Sequence, residues 1–527
     1  MNYLKKFILR EKIKKKFSIL FKNGKKNLKK KNIILIEFGN SNFNHIAFAH
    51  ISDIISKKFN AKIVAYPGYQ CLSTNLNQNF LQNIKWKIGN LLSISSFGIH
   101  RSFGVSDIFW PKINKEIDLK ALRELNRFDK KIRSNDDLEN YKIKNILVGD
   151  LIYDSYLKKT LSPSIDVRSK EFKLFFLDCL RLFYYWEDYF KNYKVKSVVL
   201  YHSVYVSALP LRFALEKKIP SYVADIGKLY RLTNKRKFNH LECLEYKKNF
   251  NSFSAIEKKK KLNLAKQMLS EKFNGRLSSE LYYMSKSAFG RINKKKILKK
   301  SNRIKILISP HAFCDSPHAF GKAFFPDFYI WLKNLGEIST ITNYDWYIKC
   351  HPDPQTYFDN TSDVIKKFIN KYPKIIYLKP TSSHNQIISE GIDYVLTVYG
   401  TIASEYPYFG VNSINASRNH SQINYKFSIT PKNRKEYLHL IKNLKKPNLI
   451  IKKKEILEHY YMKYAYHNER WFFNDINKVK KSIKGYKNFF TDLMYKYWLE
   501  EFQFEDHMKR YKKIKKFIYS NKYVLIN

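Results

Sequence analysis

Short apolar runs alternate with helix-spaced segments over two stretches of the chain. In the first stretch the strand-like runs are NIILIEFG, AKIVAYPG, KNILVGD, KSVVLYHS and PSYVADIG, separated by helical segments such as HIAFAHISDIISKKF and VSALPLRFALEKK. In the second, IKILISPHAF, DWYIKCHP, KIIYLKP, DYVLTVYG and VNSINA alternate with FYIWLKNLGEIS, SDVIKKFINKYP and SHNQIISEG. Apolar strands joined by helices are typical of parallel sheets that are covered on both faces. We therefore predict an α/β fold with two Rossmann-like, doubly wound domains.

The two predicted sheets are flanked by segments with a more charged, helical pattern. We expect a basic amphipathic arm over 1–31, an N-terminal α/β domain over 32–230, a helical connector over 231–300, a C-terminal α/β domain over 301–445 and a basic helical tail over 446–527. A chain of 527 residues is too long for one hydrophobic core, which agrees with at least two domains.

The net charge of +53, from 98 Lys and Arg against 45 Asp and Glu, invites a nucleic-acid interpretation. The excess is mostly lysine, however, and it is spread along the chain beside much Asn, Ile, Tyr and Phe, as codon drift in an AT-rich genome would produce. The chain contains no Walker loop, zinc-finger pattern or RNA-binding aromatic signature. We therefore expect no specific nucleic-acid partner, although such a surface attracts anionic lipids, nucleotides and acidic polymers.

Cysteine spacing and hydropathy together indicate a cytoplasmic protein. The five cysteines form no C-x-x-C pair, which argues against a disulfide framework, and no apolar window is long enough to span a bilayer. In the arm, apolar residues at helical spacing lie among many lysines. Two interpretations stay open, a helix on an anionic membrane surface and a solvated, partly disordered arm. The first would make the protein peripheral to the inner face of the plasma membrane.

Ligands of open parallel sheets bind beyond the carboxyl ends of the strands, so we looked for candidate site residues where the strands of the second domain end. The first strand leads into SPHAFCDSPHAFGK, which contains His311, Asp315, His318 and Lys322 between restricted Pro and Gly positions. These side chains could act as a base, as phosphate donors or as metal ligands. Their spacing does not match a metal-binding pattern, and the chain contains no D-x-D motif. We therefore expect no bound metal ion.

The next strand ends in KCHPDP and places His351 at the rim of the predicted sheet. Pro352 restricts His351 to extended geometry and removes the following backbone donor. An imidazole held in this way can donate a hydrogen bond to a phosphate oxygen. The alternative is a surface histidine in a turn.

The strand DYVLTVYG leads into a second candidate turn, TIASEYPYFG. Gly400 permits close backbone approach, and Thr401 is a possible N-cap whose helix start could hold an anion together with Ser404. Glu405 lies in the first turn, where its carboxylate could accept hydrogen bonds from ribose hydroxyls. The alternative for Glu405 is a capping interaction.

These motifs resemble those of a known family. His-Pro after one strand, a later strand leading to Gly-Thr with an acidic residue four positions beyond, and YFGVNSINA are similar to the nucleotide-binding half of GT-B glycosyltransferases of bacterial surface carbohydrate. The similarity is greatest to capsule polysaccharide biosynthesis proteins and covers about 300–440. In the first half of the chain, a weaker similarity to the same group is found in ILVGDLIYDSYLK and SVYVSALPLRFALEKKIP.

The resemblance implies a function and roles for the candidate residues. It implies a glycosyltransferase of capsule or lipopolysaccharide biosynthesis that transfers a sugar from a nucleotide donor, CMP- or UDP-linked, to a glycan or lipid-linked acceptor, without a further cofactor. His351, Gly400, Thr401 and Ser404 would hold phosphate, and Glu405 the ribose. The acidic base motif of the family is missing from the first domain.

The missing motif leaves the catalytic base open among several residues, namely Asp315, His318, His311, Asp150 and His45. Two other functions also stay open. One is a CDP-polyol phosphotransferase of similar fold, and the other is a non-catalytic basic protein that binds nucleic acid or membrane.

Overall fold

The structure is a computed structural model of the chain. It describes residues 3–21, 31–39, 41–68, 84, 88, 95–108, 111–276, 287–351, 360–447, 451–466 and 471–525. The chain divides into two compact units. Unit 1 comprises Met1–Ser155, Asp166–Asn239 and Glu469–Asn527, and unit 2 comprises Tyr156–Ile165 and His240–Asn468.

Unit 1 contains a six-stranded sheet with the order β3-β2-β1-β6-β7-β8. All neighbouring pairs are parallel except β7 and β8, which are antiparallel. The strands of unit 1 are β1 (Asn32–Phe38), β2 (Ala61–Pro67), β3 (Val105–Ile108), β4 (Lys142–Ile143), β5 (Ile146–Leu147), β6 (Lys194–Leu200), β7 (Ser221–Ala224) and β8 (Leu229–Leu232). The short strands β4 and β5 form a separate antiparallel hairpin.

Helices from both ends of the chain pack in unit 1. The first helices along the chain are α1 (Tyr3–Leu20), α2 (Asn42–Phe59), α3 (Ser95–Ser102), α4 (Lys115–Lys131), α5 (Asn135–Glu139), α6 (Gly149–Thr160, which continues into unit 2), α7 (Lys170–Asn192) and α8 (Leu209–Glu216). Three more come from the C-terminal segment, and with the unit 2 helices counted in chain order they are α17 (Ile476–Ser482), α18 (Asp492–Glu500) and α19 (Phe504–Tyr519).

Unit 2 contains a five-stranded, wholly parallel sheet with the order β11-β10-β9-β12-β13. Its strands are β9 (Lys305–Ile308), β10 (Asp345–Lys349), β11 (Ile375–Leu378), β12 (Tyr394–Thr397) and β13 (Asn412–Asn415). Its helices are α9 (Tyr246–Asn251), α10 (Ala255–Phe273), α11 (Phe328–Ile341), α12 (Thr361–Lys371), α13 (His384–Ser389), α14 (Ile402–Glu405), α15 (Arg434–Lys442) and α16 (Lys453–Tyr461).

Alternating side chains of the unit 2 strands enter separate apolar clusters. Trp346 and Ile348 of β10 pack in one cluster with α11 and α12, and Tyr347 packs in another with residues of α13 and α14. This period of two is the geometry of an extended strand buried on both faces. The predicted class, two doubly wound α/β domains with helical flanking regions, is confirmed.

Particular elements differ from the expected ones. KNILVGD does not join the six-stranded sheet. Only Ile146–Leu147 is extended, as strand β5 of the small hairpin, and α6 begins at Gly149. The antiparallel edge strand β8 was not anticipated. Its backbone also pairs with the end of the chain, where the amide of Leu525 donates to the carbonyl of Leu229.

The segments expected to be a connector and a tail contribute to the two units. Helix α10 packs through Ala265 and Leu269 against α16, which puts the predicted connector in the core of unit 2. In unit 1, Tyr511 of α19 donates to Asp53 of α2 over 2.6 Å. The residues after 469 therefore help to build unit 1, whereas the prediction described a tail over 446–527.

Gly336 gives a test of the packing between α11 and α12. A Cβ atom at this position would lie 2.6 Å from ring carbons of Tyr372 and 2.9 Å from Phe368. Because both rings are buried and rigid, we expect Gly336→Ala to lower the free energy of unfolding by about 1–3 kcal/mol, measured by urea denaturation, despite the better helix propensity of alanine. The exposed Glu337→Ala in the same helix is the control. Equal stability of the two variants would contradict the packing.

Candidate functional site

The carboxyl ends of β9, β10 and β12 lie at one edge of the unit 2 sheet, because β10 and β12 both pair in parallel with β9. Strand order reverses between β9 and β12, which is the topological switch point where open α/β sheets bind ligands. His311 follows β9, His351 follows β10, and Gly400 with Thr401 follows β12. The sheet thus brings the predicted histidine and the predicted Gly-Thr turn to the same edge. Pro352 lies outside the described residues.

His311, in the loop after β9, contacts the residues at the end of β12. Its Nε2 accepts a hydrogen bond from the backbone amide of Tyr399 at 3.4 Å and lies 3.2 Å from Oγ1 of Thr397. Its ring stacks on Phe328 with centroids 4.6 Å apart. Burial lowers the pKa of His311 to about 4, so the ring is neutral at pH 7. Because Nε2 is the acceptor, the proton of the neutral ring resides on Nδ1.

The turn after β12 is held by one hydroxyl. The amide of Gly400 donates to Oγ1 of Thr397 at 3.2 Å, and a Cβ on Gly400 would come within 2.7 Å of that oxygen. The turn therefore needs glycine for close approach. The hydroxyl of Thr397 is then oriented to donate to Nε2 of His311, which fixes the tautomer from a second side.

The helix after this turn is short. Helix α14 covers only Ile402–Glu405 and gives way to a 3₁₀ turn over Tyr406–Phe409, which includes Pro407. Thr401 occupies the N-cap position without a side-chain capping bond, and the hydroxyl of Ser404 donates to the carbonyl of Thr401 at 2.8 Å. Ser404 is buried, so its hydroxyl serves the turn itself.

Glu405 forms a buried ion pair. Its Oε1 lies 2.7 Å from Nζ of Lys272 on α10, and both side chains are at most 7% exposed. The lysine also lies about 6 Å from the rings of Tyr460 and Tyr464. This pair links the turn after β12 to the helix that was expected to be a connector. A role of Glu405 toward ribose stays a prediction.

Lys349 is a functional candidate that the sequence analysis missed. It is the last residue of β10 and only 3% exposed, and its Nζ lies 3.4 Å from Nε2 of His384. Nδ1 of His384 lies 2.7 Å from the hydroxyl of Tyr406. Burial lowers the pKa of Lys349 to about 8, so the ammonium is still mostly charged at pH 7. A charged lysine only donates, so Nε2 of His384 accepts and Nδ1–H faces Tyr406.

Four basic groups share this region. The charges of Lys349, His351 and Lys272, in that order after burial itself, lower the pKa of His384 well below its usual value. We call Lys272, Lys349, His351 and His384 the basic cluster. One carboxylate, Glu405, pairs with it directly. Of these groups, Lys349 is a buried ammonium and His351 is half-buried at the same edge, a combination that is suited to a phosphate ester.

The loop after β9 packs on the same edge. The hydroxyl of Tyr399 donates to the carbonyl of Ser316 at 3.4 Å, and the Tyr399 ring contacts Phe320. His318 is buried, Asp315 is half-buried, and Lys322 is exposed. The loop thereby brings Asp315 and His318 near the switch point.

The two predicted candidates of the first domain lie in unit 1. Asp150 accepts from Arg212 at 2.6 Å, and both side chains are buried. Nε2 of His45 lies 2.7 Å from the carbonyl of Gly39, and its Nδ1 contacts the hydroxyl of Tyr495. Burial lowers the pKa of His45 to about 4. Since Nε2 must donate to the carbonyl, Nδ1 accepts from Tyr495, and both nitrogens of His45 are engaged.

The described residues contain no group of three or more His, Cys, Asp and Glu side chains arranged to hold a metal ion. Within the same part of the chain, no helix combines the length and apolarity needed to cross a bilayer.

Comparisons with known proteins give no family. No family model matches the chain, and no curated protein matches it. Solved structures that align with it include UDP-GlcNAc 2-epimerase from Neisseria meningitidis bound to UDP-GlcNAc, at 10% identity over 82% of this chain and 98% of that one, with a TM-score of 0.20. A UGT transferase from Siraitia grosvenorii in complex with UDP aligns at 10% identity over 93% and 100%, with a TM-score of 0.20.

An O-GlcNAc transferase from Thermobaculum terrenum aligns at 9% identity over 92% of this chain and 68% of that chain, with a TM-score of 0.22. TM-scores this low describe no common global superposition. The functional argument therefore rests on the geometry of the chain itself.

The ion pair between Lys272 and Glu405 can be tested for its contribution to stability. Removing one partner leaves a buried charge unpaired, so we expect Lys272→Met or Glu405→Leu alone to lower the free energy of unfolding by about 3–5 kcal/mol. The double variant should lose much less than the sum, because neither charge is then buried. Urea denaturation of all three variants measures this coupling.

The exposed pair Lys366 and Asp363, 3.1 Å apart, is the matched control for that cycle. Its single variants should change stability very little, because water screens the interaction. Additive losses at Lys272 and Glu405 would contradict a buried, mutually dependent pair.

Proposed function

We propose that unit 2 binds a nucleotide-sugar and that the protein is a glycosyltransferase of surface polysaccharide biosynthesis, capsule or lipopolysaccharide. The observation that carries the proposal is the basic cluster at the carboxyl edge of a parallel sheet, beside the switch point marked by His311 and Gly400. The sequence resemblance to GT-B glycosyltransferases supports the same assignment. The acceptor would be a glycan or a lipid-linked sugar.

The cluster suits the charge that develops on the leaving group. When the bond between the sugar and the phosphate breaks, negative charge grows on the phosphate oxygens of the departing nucleotide. Lys349 would supply a charged ammonium, and His351, half-buried at the rim, would donate a hydrogen bond. Because Lys349 is buried, its interaction with a phosphate would be stronger than in bulk water.

His311 would act as a donor, not as a base. Its Nε2 already accepts from the amide of Tyr399, and its low pKa keeps the ring neutral. A neutral imidazole with its proton on Nδ1 can donate one hydrogen bond to a phosphate or sugar oxygen. The base for the acceptor must then be sought elsewhere.

Nucleotide binding tests this proposal. We expect the wild-type protein to bind at least one of UDP, CDP, CMP and GDP in calorimetry. Lys349→Met and His351→Ala should each weaken that binding about 10- to 100-fold, since a hydrogen bond to a charged group contributes about 1.5–3 kcal/mol.

Two exposed residues of unit 2 provide matched controls, His439→Ala on α15 and Lys367→Ala on α12. Neither should change the affinity. If the Lys349 and His351 variants bind nucleotide as the wild type does, the site is misassigned and a non-catalytic basic protein becomes the better interpretation. Turnover of CDP-glycerol alone, among sugar and polyol donors, would instead indicate a phosphotransferase.

Helix α1 supports a second part of the proposal, attachment to an anionic membrane surface. Its second half is anchored in unit 1, where Ile13 and Phe17 are fully buried and Phe17 packs against Trp498. Its first turns instead expose Leu4, Phe7 and Ile8 to solvent, at positions i, i+3 and i+4. Lysines flank this short apolar stripe, and their charge attracts anionic lipid.

Vesicle binding checks this part. The variant with Leu4→Gln, Phe7→Gln and Ile8→Gln should lose co-sedimentation with phosphatidylglycerol vesicles, because it removes the apolar anchor without touching the buried half of the helix. Ile19→Gln, on the same helix and also exposed, is the control and should co-sediment as the wild type does. Co-sedimentation of the triple variant at the wild-type level would exclude the anchor.

A further inference from the structure

We propose that His384 is a positioning residue that holds the ammonium of Lys349 in place for the phosphate of a bound nucleotide. This inference rests on the proposed nucleotide-binding function of unit 2 and adds to it a residue that the sequence analysis did not select. Both residues belong to unit 2. Three features carry the proposal, namely the acceptors of the ammonium, the protonation of the imidazole and the packing that fixes its ring.

The ammonium of Lys349 contacts two acceptors among the residues that the structure describes. Its Nζ donates to Nε2 of His384 and to the carbonyl of Cys350, each over 3.4 Å. The carbonyl belongs to the same strand end, whereas the imidazole comes from α13, so His384 sets the direction of the ammonium. An ammonium carries three N–H donors. Two of them are directed by the protein, and the third is left for an oxygen of a phosphate.

His384 is a neutral acceptor because of its surroundings. Burial, and then the charges of Lys349, His351 and Lys272, lower the pKa of His384 well below its usual value. A neutral imidazole has one acceptor and one donor nitrogen. Since Nε2 faces an ammonium, Nδ1–H points to the hydroxyl of Tyr406, 2.7 Å away. The hydroxyl of Tyr406 therefore stabilises the tautomer in which His384 accepts from Lys349.

The imidazole of His384 is held through its backbone and through its ring. Its amide, at the start of α13, donates to the carbonyl of Ala288 at 3.0 Å. Its ring lies 5.4 Å from the ring of Phe289 and 5.5 Å, edge-on, from the ring of Tyr406, measured between centroids. The side chain is only 7% exposed. A ring packed in this way has little freedom to turn away from Lys349.

The charged and titratable groups that face Lys349 and His384 come from three parts of unit 2. They are Cys350 and His351 at the end of β10, Lys272 on α10, and Glu405 and Tyr406 after β12. The carboxylate of Glu405 pairs with Lys272. The charge of Lys349 meets a neutral imidazole instead, and it stays available to attract an anionic phosphate.

The titration of Lys349 tests the contact without any ligand. Removing the acceptor in His384→Leu leaves the buried ammonium with one partner fewer, which disfavours its charged form. With lysine labelled by carbon-13 at Cε, we expect the NMR titration midpoint of Lys349 near pH 8 in the wild type and about 1 to 2 pH units lower in the variant. The signal of Lys349 is the one that Lys349→Met lacks.

Two further variants separate the two nitrogens of the imidazole. His384→Gln can place its amide oxygen near the position of Nε2, so it should restore most of the wild-type midpoint. His384→Asn reaches only the position of Nδ1, so it should lower the midpoint as His384→Leu does. The asparagine variant also provides the measurement if the leucine variant does not fold.

Nucleotide affinity connects the contact with function. With the midpoint lowered by about 1 to 2 pH units, the charged fraction of Lys349 at pH 7.5 falls about 3- to 25-fold. We expect His384→Leu to lose the same factor in affinity, by calorimetry, for whichever of UDP, CDP, CMP and GDP the wild type binds. At pH 6 the loss should shrink to about 2-fold or less, because acid restores the charge of Lys349. Ionisation of the nucleotide cancels, since both proteins meet the same ligand at each pH.

His459→Leu is the matched control, because His459 is another buried histidine of unit 2 and its Nε2 contacts Ser421. It should leave the midpoint of Lys349 and the pH dependence of binding as in the wild type. A merely structural role of His384 would lower affinity equally at pH 7.5 and pH 6. That result, or an unchanged midpoint in His384→Leu and His384→Asn, would overturn the positioning role.

The outcomes separate this inference from the proposed function. Nucleotide binding that depends on Lys349 but not on His384 would overturn the positioning role alone. Failure of the wild type to bind any of the four nucleotides would overturn the proposed function, and with it the role of His384 toward a phosphate.

Discussion

The sheet of unit 2 is parallel throughout and that of unit 1 is parallel except at its β7–β8 edge, and the helices that cover them constrain the ionisable groups at the strand ends. A parallel strand buried on both faces has no solvent-facing side, so a charged residue is tolerated only near its end. β10 ends in Lys349, and β1 carries Glu37 next to its last residue. Burial shifts the pKa of each toward neutrality, downward for the lysine and upward for the glutamate. The burial that forms the apolar cores therefore also shifts the pKa values of the charged groups at the strand ends.

Much of the fold could be predicted from the sequence because its strands are short, apolar and regularly spaced. IKILI, DWYIK, YVLT and VNSIN each correspond to a strand of unit 2, and the helical segments between them were also located. The prediction that KNILVGD is a strand of the main sheet was wrong, because an apolar run of that length is also compatible with a hairpin followed by the start of a helix. β8 was missed since it is short and antiparallel, and its pairing with the chain end is a long-range contact.

The candidate site was predictable in part. His351 and the Gly400 turn could be placed at one edge, because parallel strand ends share an edge whatever the loops do. Lys349, His384 and Tyr406 could not be joined in advance, since the contact of Lys349 with His384 spans 35 residues and depends on the packing of α13. A signal was nevertheless available in the sequence. A single charged residue at the end of an apolar strand, as in WYIKC, costs desolvation free energy and therefore marks a candidate for a functional site.

The carboxyl edge of unit 2 is suited to stabilise an anion and not to accept a proton. Lys349 is buried at the end of β10 and stays mostly protonated at pH 7, because burial lowers its pKa only to about 8. Nε2 of His311 already accepts a hydrogen bond from the amide of Tyr399, so its remaining Nδ1–H can only donate. A charged ammonium and a ring N–H at one edge favour a bound phosphate over a bound cation. A reaction that also removed a proton from a hydroxyl would need a further group, since a protonated lysine cannot accept a proton.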